Sequence, residues 1–211
     1  MRTTPNPLSR RAESRQTGPM TLGPDLQLSA DRVADLVAAI DESVLDDPTP
    51  CPDYRVREIL GHMDGLTQAF RAAADKELGA LTDANPNAAL PTLADGWRDR
   101  LPGQLDALVG AWRSADAWDG MTRAGGVDLP GQVAGMVALN ELTLHGWDLA
   151  VATRQPYSVD EKTARACLSF VEQFGDENRA PMFGPALPVA VGAPVFDRVL
   201  ALSGRDPDWT P

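Results

Sequence analysis

The sequence predicts an all-α protein, most simply a four-helix up-and-down bundle with an additional C-terminal helix. Two observations lead there. Apolar residues recur at i, i+3, i+4 and i+7 in one segment after another. No run of alternating residues bounded by hairpin turns breaks the pattern, and no internal repeat is present. With 211 residues, 43% of them hydrophobic, the chain is long enough for one domain with a sizeable core.

The segment MRTTPNPLSRRAESRQTGP carries Arg2, Arg10, Arg11 and Arg15 against the single acid Glu13, with almost nothing to bury. Residues 1–19 are therefore expected to be a disordered basic tail, with Met20 as an alternative start and 20–211 as a single helical domain. In LSADRVADLVAAIDESV, Ser29 reads as a helix N-cap and Leu28 as a staple on Val33; Val33, Leu36, Val37, Ile40 and Val44 share a face. The prolines of DDPTPCPDY then forbid regular structure. RVREILGHMDGLTQAFRAAA places Ile59, His62, Met63, Leu66 and Phe70 on one face, so His62 points inward.

After a polar connection come Leu93, Trp97, Leu101, Leu105, Leu108 and Trp112 at helical spacing, with Pro102 expected to kink or split the helix. The stretch from Trp118 to Pro130 reads as a loop, or at most a short extended piece, and Pro130 suits the start of the next helix. That helix, Gly131 to Thr153, turns Ala134, Val137, Ala138, Glu141, His145, Leu149 and Ala152 to one side. SVDEKTARACLSFVEQF opens with a capping box, Ser158 with Glu161, and APVFDRVLALSG is stopped by Gly204 and then Pro207.

Composition excludes several classes of function. A formal net charge of -11 argues against nucleic acid, because binding a phosphate backbone needs a basic surface. No apolar run reaches the roughly 18 residues of a membrane span. Cys51 and Cys167 are too few for a disulfide framework, and no signal-peptide core is seen, so a cytoplasmic location with reduced thiols is expected. Cys51, in a proline-flanked loop, reads as inert and Cys167 as core.

The chemistry concentrates in NELTLHGWDLA. Four helical residues return a side chain to nearly the same direction, so Glu141 and His145 project toward one point. A carboxylate on an inward stripe is costly to ionise without a partner. A divalent cation would serve, and His62 on another inward face offers a third ligand. From spacing alone, a metal site and a hydrogen-bonded packing histidine both fit.

TPCPDYRVREILGHMDG resembles the T-P-C-P-x-W-x-V-x-x-L-x-x-H segment, and NELTLHGWDLA the N-E-x-x-x-H-x-W-D-L-A segment, of an actinobacterial metal-binding family. This family shares the N-terminal domain of mycothiol-dependent maleylpyruvate isomerase and belongs to the DinB/YfiT-like superfamily. The ending FGPALPVAVGAPVFDRVLALSGRDPDW also resembles its single-domain members, so the likeness runs from about Leu28 to Trp209. It implies a DinB-like bundle with His62, Glu141 and His145 as ligands. Tyr54 stands where tryptophan is usual. The isomerase proper continues into a second domain resembling sterol carrier proteins; this sequence ends at Pro211, so that enzyme's substrate does not carry over.

Two imidazoles and one carboxylate leave a divalent ion an open position and a net charge of about +1. Zinc is the expected metal, with nickel and iron(II) compatible. The resemblance implies a low-molecular-weight thiol such as mycothiol, activated toward a small electrophile by an S-transferase or isomerase. A non-catalytic metal- or ligand-binding bundle and a metal-dependent hydrolase are the alternatives; no general base beyond the ligands is evident for the hydrolase. Asp148 reads either as a group orienting His145 or a bound thiol, or as an acid paired with an arginine. Arg205 is a candidate for binding an anionic thiol, against a plain helix stop with a packed Trp209. Asn140 and Trp147 read as structural. A homodimer stays open, since no helix face is diagnostic.

Overall fold

The computed structural model describes residues 23–86, 88–180 and 182–211; the tail expected over 1–19 lies outside them. The body consists of α1 (Gln27–Ala39), α2 (Val56–Ala74), α4 (Trp97–Trp112) and α6 (Gly131–Ala152). A 3-10 turn (Glu42–Val44), short α3 (Ala80–Asp83) and α5 (Ala115–Trp118), strands β1 (Met121–Ala124) and β2 (Val127–Pro130), and helices α7 (Glu161–Val171) and α8 (Val195–Leu202) complete the described elements. The all-α class holds. None of these helices is long and apolar enough to cross a membrane.

Each of α1 and α2 packs on both α4 and α6, which puts α1 and α2 across the bundle's diagonal. Strict up-and-down alternation is modified. Helices α2 and α4 run parallel, with Asp64 against Arg100, Thr67 against Gln104 and Phe70 against Trp112. The connection over residues 75–96 makes this feasible, being long enough to return the chain along a 19-residue helix, about 28 Å. Helices α1 and α6 likewise run the same way, Ser29 meeting Thr143 and Leu36 meeting Gln155. The first turns of α2 therefore face the second half of α6, where the chemistry-bearing residues lie.

Fully buried Leu60, Leu101, Leu108, Leu139, Leu142 and Leu149 fill the middle of the bundle. Each such side chain stabilises the fold by about 1.5–3 kcal/mol relative to exposure. Helix α6 is apolar nearly all round, and Leu144 and Trp147, off its inward stripe, are buried as well. A helix of this composition needs cover on every side. On its outer side α7 packs against it, and α8 packs on α7.

Several local expectations are corrected. Helix α1 starts at Gln27 with Leu26 as an uncapped N-cap, while Ser29 sits inside it, its Oγ 2.9 Å from Thr143 Oγ1; Leu28 is exposed. A hydroxyl with a partner across the interface is drawn inward rather than used as a cap. The helix stops at Ala39, and Val44 falls in a 3-10 turn over Glu42–Val44. Asp160, not Ser158, caps α7, accepting from the Thr163 amide at 3.0 Å. Helix α4 runs unbroken through Pro102, which lies in its second turn and forgoes a single backbone bond.

The stretch from Trp118 to Pro130, expected to be a loop or at most a short extended piece, contains a hairpin, Thr122 opposite Leu129 and Ala124 opposite Val127. Gly125 and Gly126 have φ of 61° and 79°, the two positive values that a primed two-residue turn requires. Thr122 Oγ1 donates to the Ala73 carbonyl at 2.6 Å and so ties the hairpin to the end of α2.

The stop at Gly204 is as expected. With φ of 85°, Gly204 donates its amide to the Ala201 carbonyl at 3.1 Å, and the Arg205 amide reaches the Leu200 carbonyl at 2.9 Å. This is a Schellman turn, and it fixes where the Arg205 side chain begins.

Candidate metal centre

Helix periodicity delivers the three expected side chains to one place. His62 projects from α2, and Glu141 and His145 from successive turns of α6. Both histidines turn Nε2 toward the same carboxylate oxygen: His62 Nε2 lies 2.9 Å from Glu141 Oε2, and His145 Nε2 lies 3.4 Å from it. One ligand atom from each residue falls within 4.8 Å of the others. Donors about 2.0–2.1 Å from a tetrahedral ion stand roughly 3.3 Å apart, so two of the three separations straddle the value a bound cation requires. The imidazole rings stand edge to face, 78° apart, with centroids 5.0 Å from each other.

The donor set suits a cation. Side-chain exposure falls from 23% at Glu141 through 14% at His62 to 10% at His145, so an ion or ligand would reach the cluster from the Glu141 side. Burial works to raise the Glu141 carboxyl, but hydrogen bonds from His145 and His62 outweigh it and hold the group well below the usual carboxylate range. Burial likewise works to lower His145, yet its bonds to Asp148 and Glu141 prevail and push it up to about 9. Without a cation, a proton on His145 thus supplies the positive charge that Glu141 needs. A divalent ion can take that role at Nε2 while Nδ1 keeps its own partner.

That partner is Asp148, whose Oδ2 is 2.9 Å from His145 Nδ1. Asp148 is completely buried and is also gripped by Arg205, Nε to Oδ1 at 2.8 Å and Nη2 to Oδ2 at 2.7 Å. Asp148 is thus an acid paired with an arginine, and it also contacts the His145 ring. Arg205 is buried, with these two nitrogens engaged inside the protein. No pattern in the sequence marks its pairing with Asp148.

Tyr54 stands beside the cluster, its ring centroid 5.7 Å from that of His62 and 6.4 Å from that of His145. Position 54 is therefore a wall of the site and not only a packing residue of the loop. Asn140 is buried off the stripe, its Nδ2 donating to the Met136 carbonyl at 2.9 Å, and Trp147 is buried in packing. Cys51 is half-buried, with burial and then the charge of Asp148 pushing its thiol up to about 11; Arg55 and Arg57 are occupied on Asp46. Cys167 is core, pushed up by burial to about 12.

The mostly helical architecture is that of an all-α DinB-like domain. Residues 26–150 match the model of the mycothiol maleylpyruvate isomerase N-terminal domain family, and the chain belongs to that family. It is similar to two uncharacterized Mycobacterium tuberculosis proteins, one from strain CDC 1551 / Oshkosh and one from strain ATCC 25618 / H37Rv. Each is 26% identical over 194 residues, covering 85% of this chain and 94% of the relative. No solved structure matches.

Proposed function

We propose that His62, Glu141 and His145 hold one divalent cation, zinc by preference, and that the protein is an enzyme activating a small thiol of the mycothiol type. The thiol is transferred to a small electrophile or promotes its isomerisation. The observation that carries this reading is the convergence of two Nε2 atoms on one Glu141 oxygen, at 2.9 and 3.4 Å. A bound divalent ion with an open position makes a thiol or water acidic near neutral pH and polarises a carbonyl.

The chain's own residues would do the rest. Glu141 and the two neutral imidazoles leave a net positive charge of about one at the cation, which attracts a thiolate. Asp148 orients His145 through Nδ1. The Tyr54 ring lines the approach and restricts what stands beside the two histidines. Membership of the mycothiol maleylpyruvate isomerase N-terminal domain family supports mycothiol as the thiol.

The test is a thermal-shift comparison of zinc-loaded and metal-free protein with and without mycothiol. At about 100 times its dissociation constant a thiol bound only to the folded state contributes about 2.7 kcal/mol, a rise of several degrees for a domain of this size. Stabilisation confined to the loaded protein is expected. Equal stabilisation of both forms would contradict binding through the cation.

A further inference from the structure

We propose that Arg205 is a positioning residue of the metal centre: it locks Asp148 as a fixed acceptor, so that His145 keeps its proton on Nδ1 and presents the Nε2 lone pair to the cation. This rests on the metal reading above.

An ionised carboxylate can only accept hydrogen bonds, and one held at both oxygens by a guanidinium cannot rotate. Asp148 is in that condition, completely buried and gripped by Arg205 at 2.8 and 2.7 Å. Its Oδ2 faces His145 Nδ1 at 2.9 Å, so in the neutral imidazole Nδ1 must be the donor and Nε2 the free base. Arg205 is itself held at both ends. Its amide closes the turn after α8 on the Leu200 carbonyl, and its Nη1 lies 3.3 Å from Ser203 Oγ.

The three ligands and Asp148 fall within the family-matched residues 26–150, whereas Arg205 comes from beyond them. The C-terminal turn is therefore part of the centre and not merely a cover for α6. It also follows that Arg205 acts on ligands through His145 and not by touching an anion itself.

The experiment uses full-length protein labelled with ¹⁵N-histidine and loaded with zinc. With two histidines in the chain, the ring nitrogens are few enough to assign with one His62→Gln control. Wild-type protein is expected to show a slowly exchanging proton on His145 Nδ1 and a zinc-bound Nε2. Arg205→Met is expected to lose that protected proton and to bind zinc 10- to 100-fold more weakly in a chelator competition. Arg205→Lys keeps the charge but cannot span both carboxylate oxygens, and is expected to recover part of the loss.

Zinc affinity within twofold of wild type in both variants, with the Nδ1 proton unchanged, overturns the proposal. Should Arg205→Met fail to fold, the same twofold criterion and the same proton in Arg205→Lys decide it. A purely structural role would lower stability without moving the tautomer. Wild-type protein that takes up no zinc brings down the metal reading and this proposal together, an outcome distinct from variants that bind as well as wild type.

Discussion

Replacing Asp148 by alanine in metal-free protein tests the buried network at its centre. The substitution strips the guanidinium of Arg205 of both its carboxylate contacts and leaves His145 Nδ1 without its acceptor, in a place where Asp148 is wholly shielded from water. Breaking a buried ion pair by removing one partner costs about 3–5 kcal/mol, because a desolvated charge is left behind. At about 2–4 °C per kcal/mol for a chain of this size, the midpoint should fall by roughly 6–20 °C. Removing both charges, in Asp148→Leu with Arg205→Met, leaves no orphan guanidinium and should recover at least half of the loss. Urea unfolding followed by tryptophan fluorescence measures Asp148→Ala, Arg205→Met and the double variant. A loss under about 1 kcal/mol for Asp148→Ala, or a double variant as unstable as the two single losses added, would refute the reasoning.

The raised His145, held up by Asp148 and Glu141, and the depressed Glu141, held down by His145 and His62, belong to one apo network. Its contribution to stability is fully present below about pH 6.5 on the histidine side and is lost as pH rises through about 9. On the carboxylate side it is present above about pH 4.5 and lost as pH falls through the depressed folded value. Metal-free protein should therefore lose thermal stability between pH 7 and 9.5, and zinc-loaded protein should not; a flat apo profile there contradicts the pairing. Zinc must displace the His145 proton, so apparent affinity should rise by up to about tenfold per pH unit below 9. Two helix ends give opposite signs. Gly204→Ala should destabilise, since its φ is 85° and a Cβ would stand 2.8 Å from Gly184 Cα. Arg154→Gly should stabilise by about 0.5–1 kcal/mol in a denaturation curve, relieving a side chain held at φ 55°.

The convergence of His62, Glu141 and His145 was legible in the sequence because a helix maps spacing onto direction. Four residues from Glu141 to His145, and the apolar neighbours of His62, are enough to say that all three turn inward. Contacts that depend on distant chain were not legible. Arg205 is 57 positions from Asp148, and a guanidinium spent on a buried carboxylate reads in sequence like one free to bind an anion. The parallel course of α2 and α4 was hidden for a related reason, since helix counting carries no direction once a long connection intervenes. The hairpin escaped because four-residue strands are too short for a period; its signal was the pair Gly125–Gly126. Ser29 misled because a serine near a helix start suits a cap as well as a buried bond to Thr143.

The most direct test of the central claim is the metal content of protein purified without added metal, measured by elemental analysis for wild type, His62→Ala and Glu141→Ala, each confirmed folded by circular dichroism. About one divalent ion per chain in wild type, lost from both variants, is the expected result. Metal content that is absent from wild type, or unchanged in the variants, would contradict the assignment of His62, Glu141 and His145 as a metal centre.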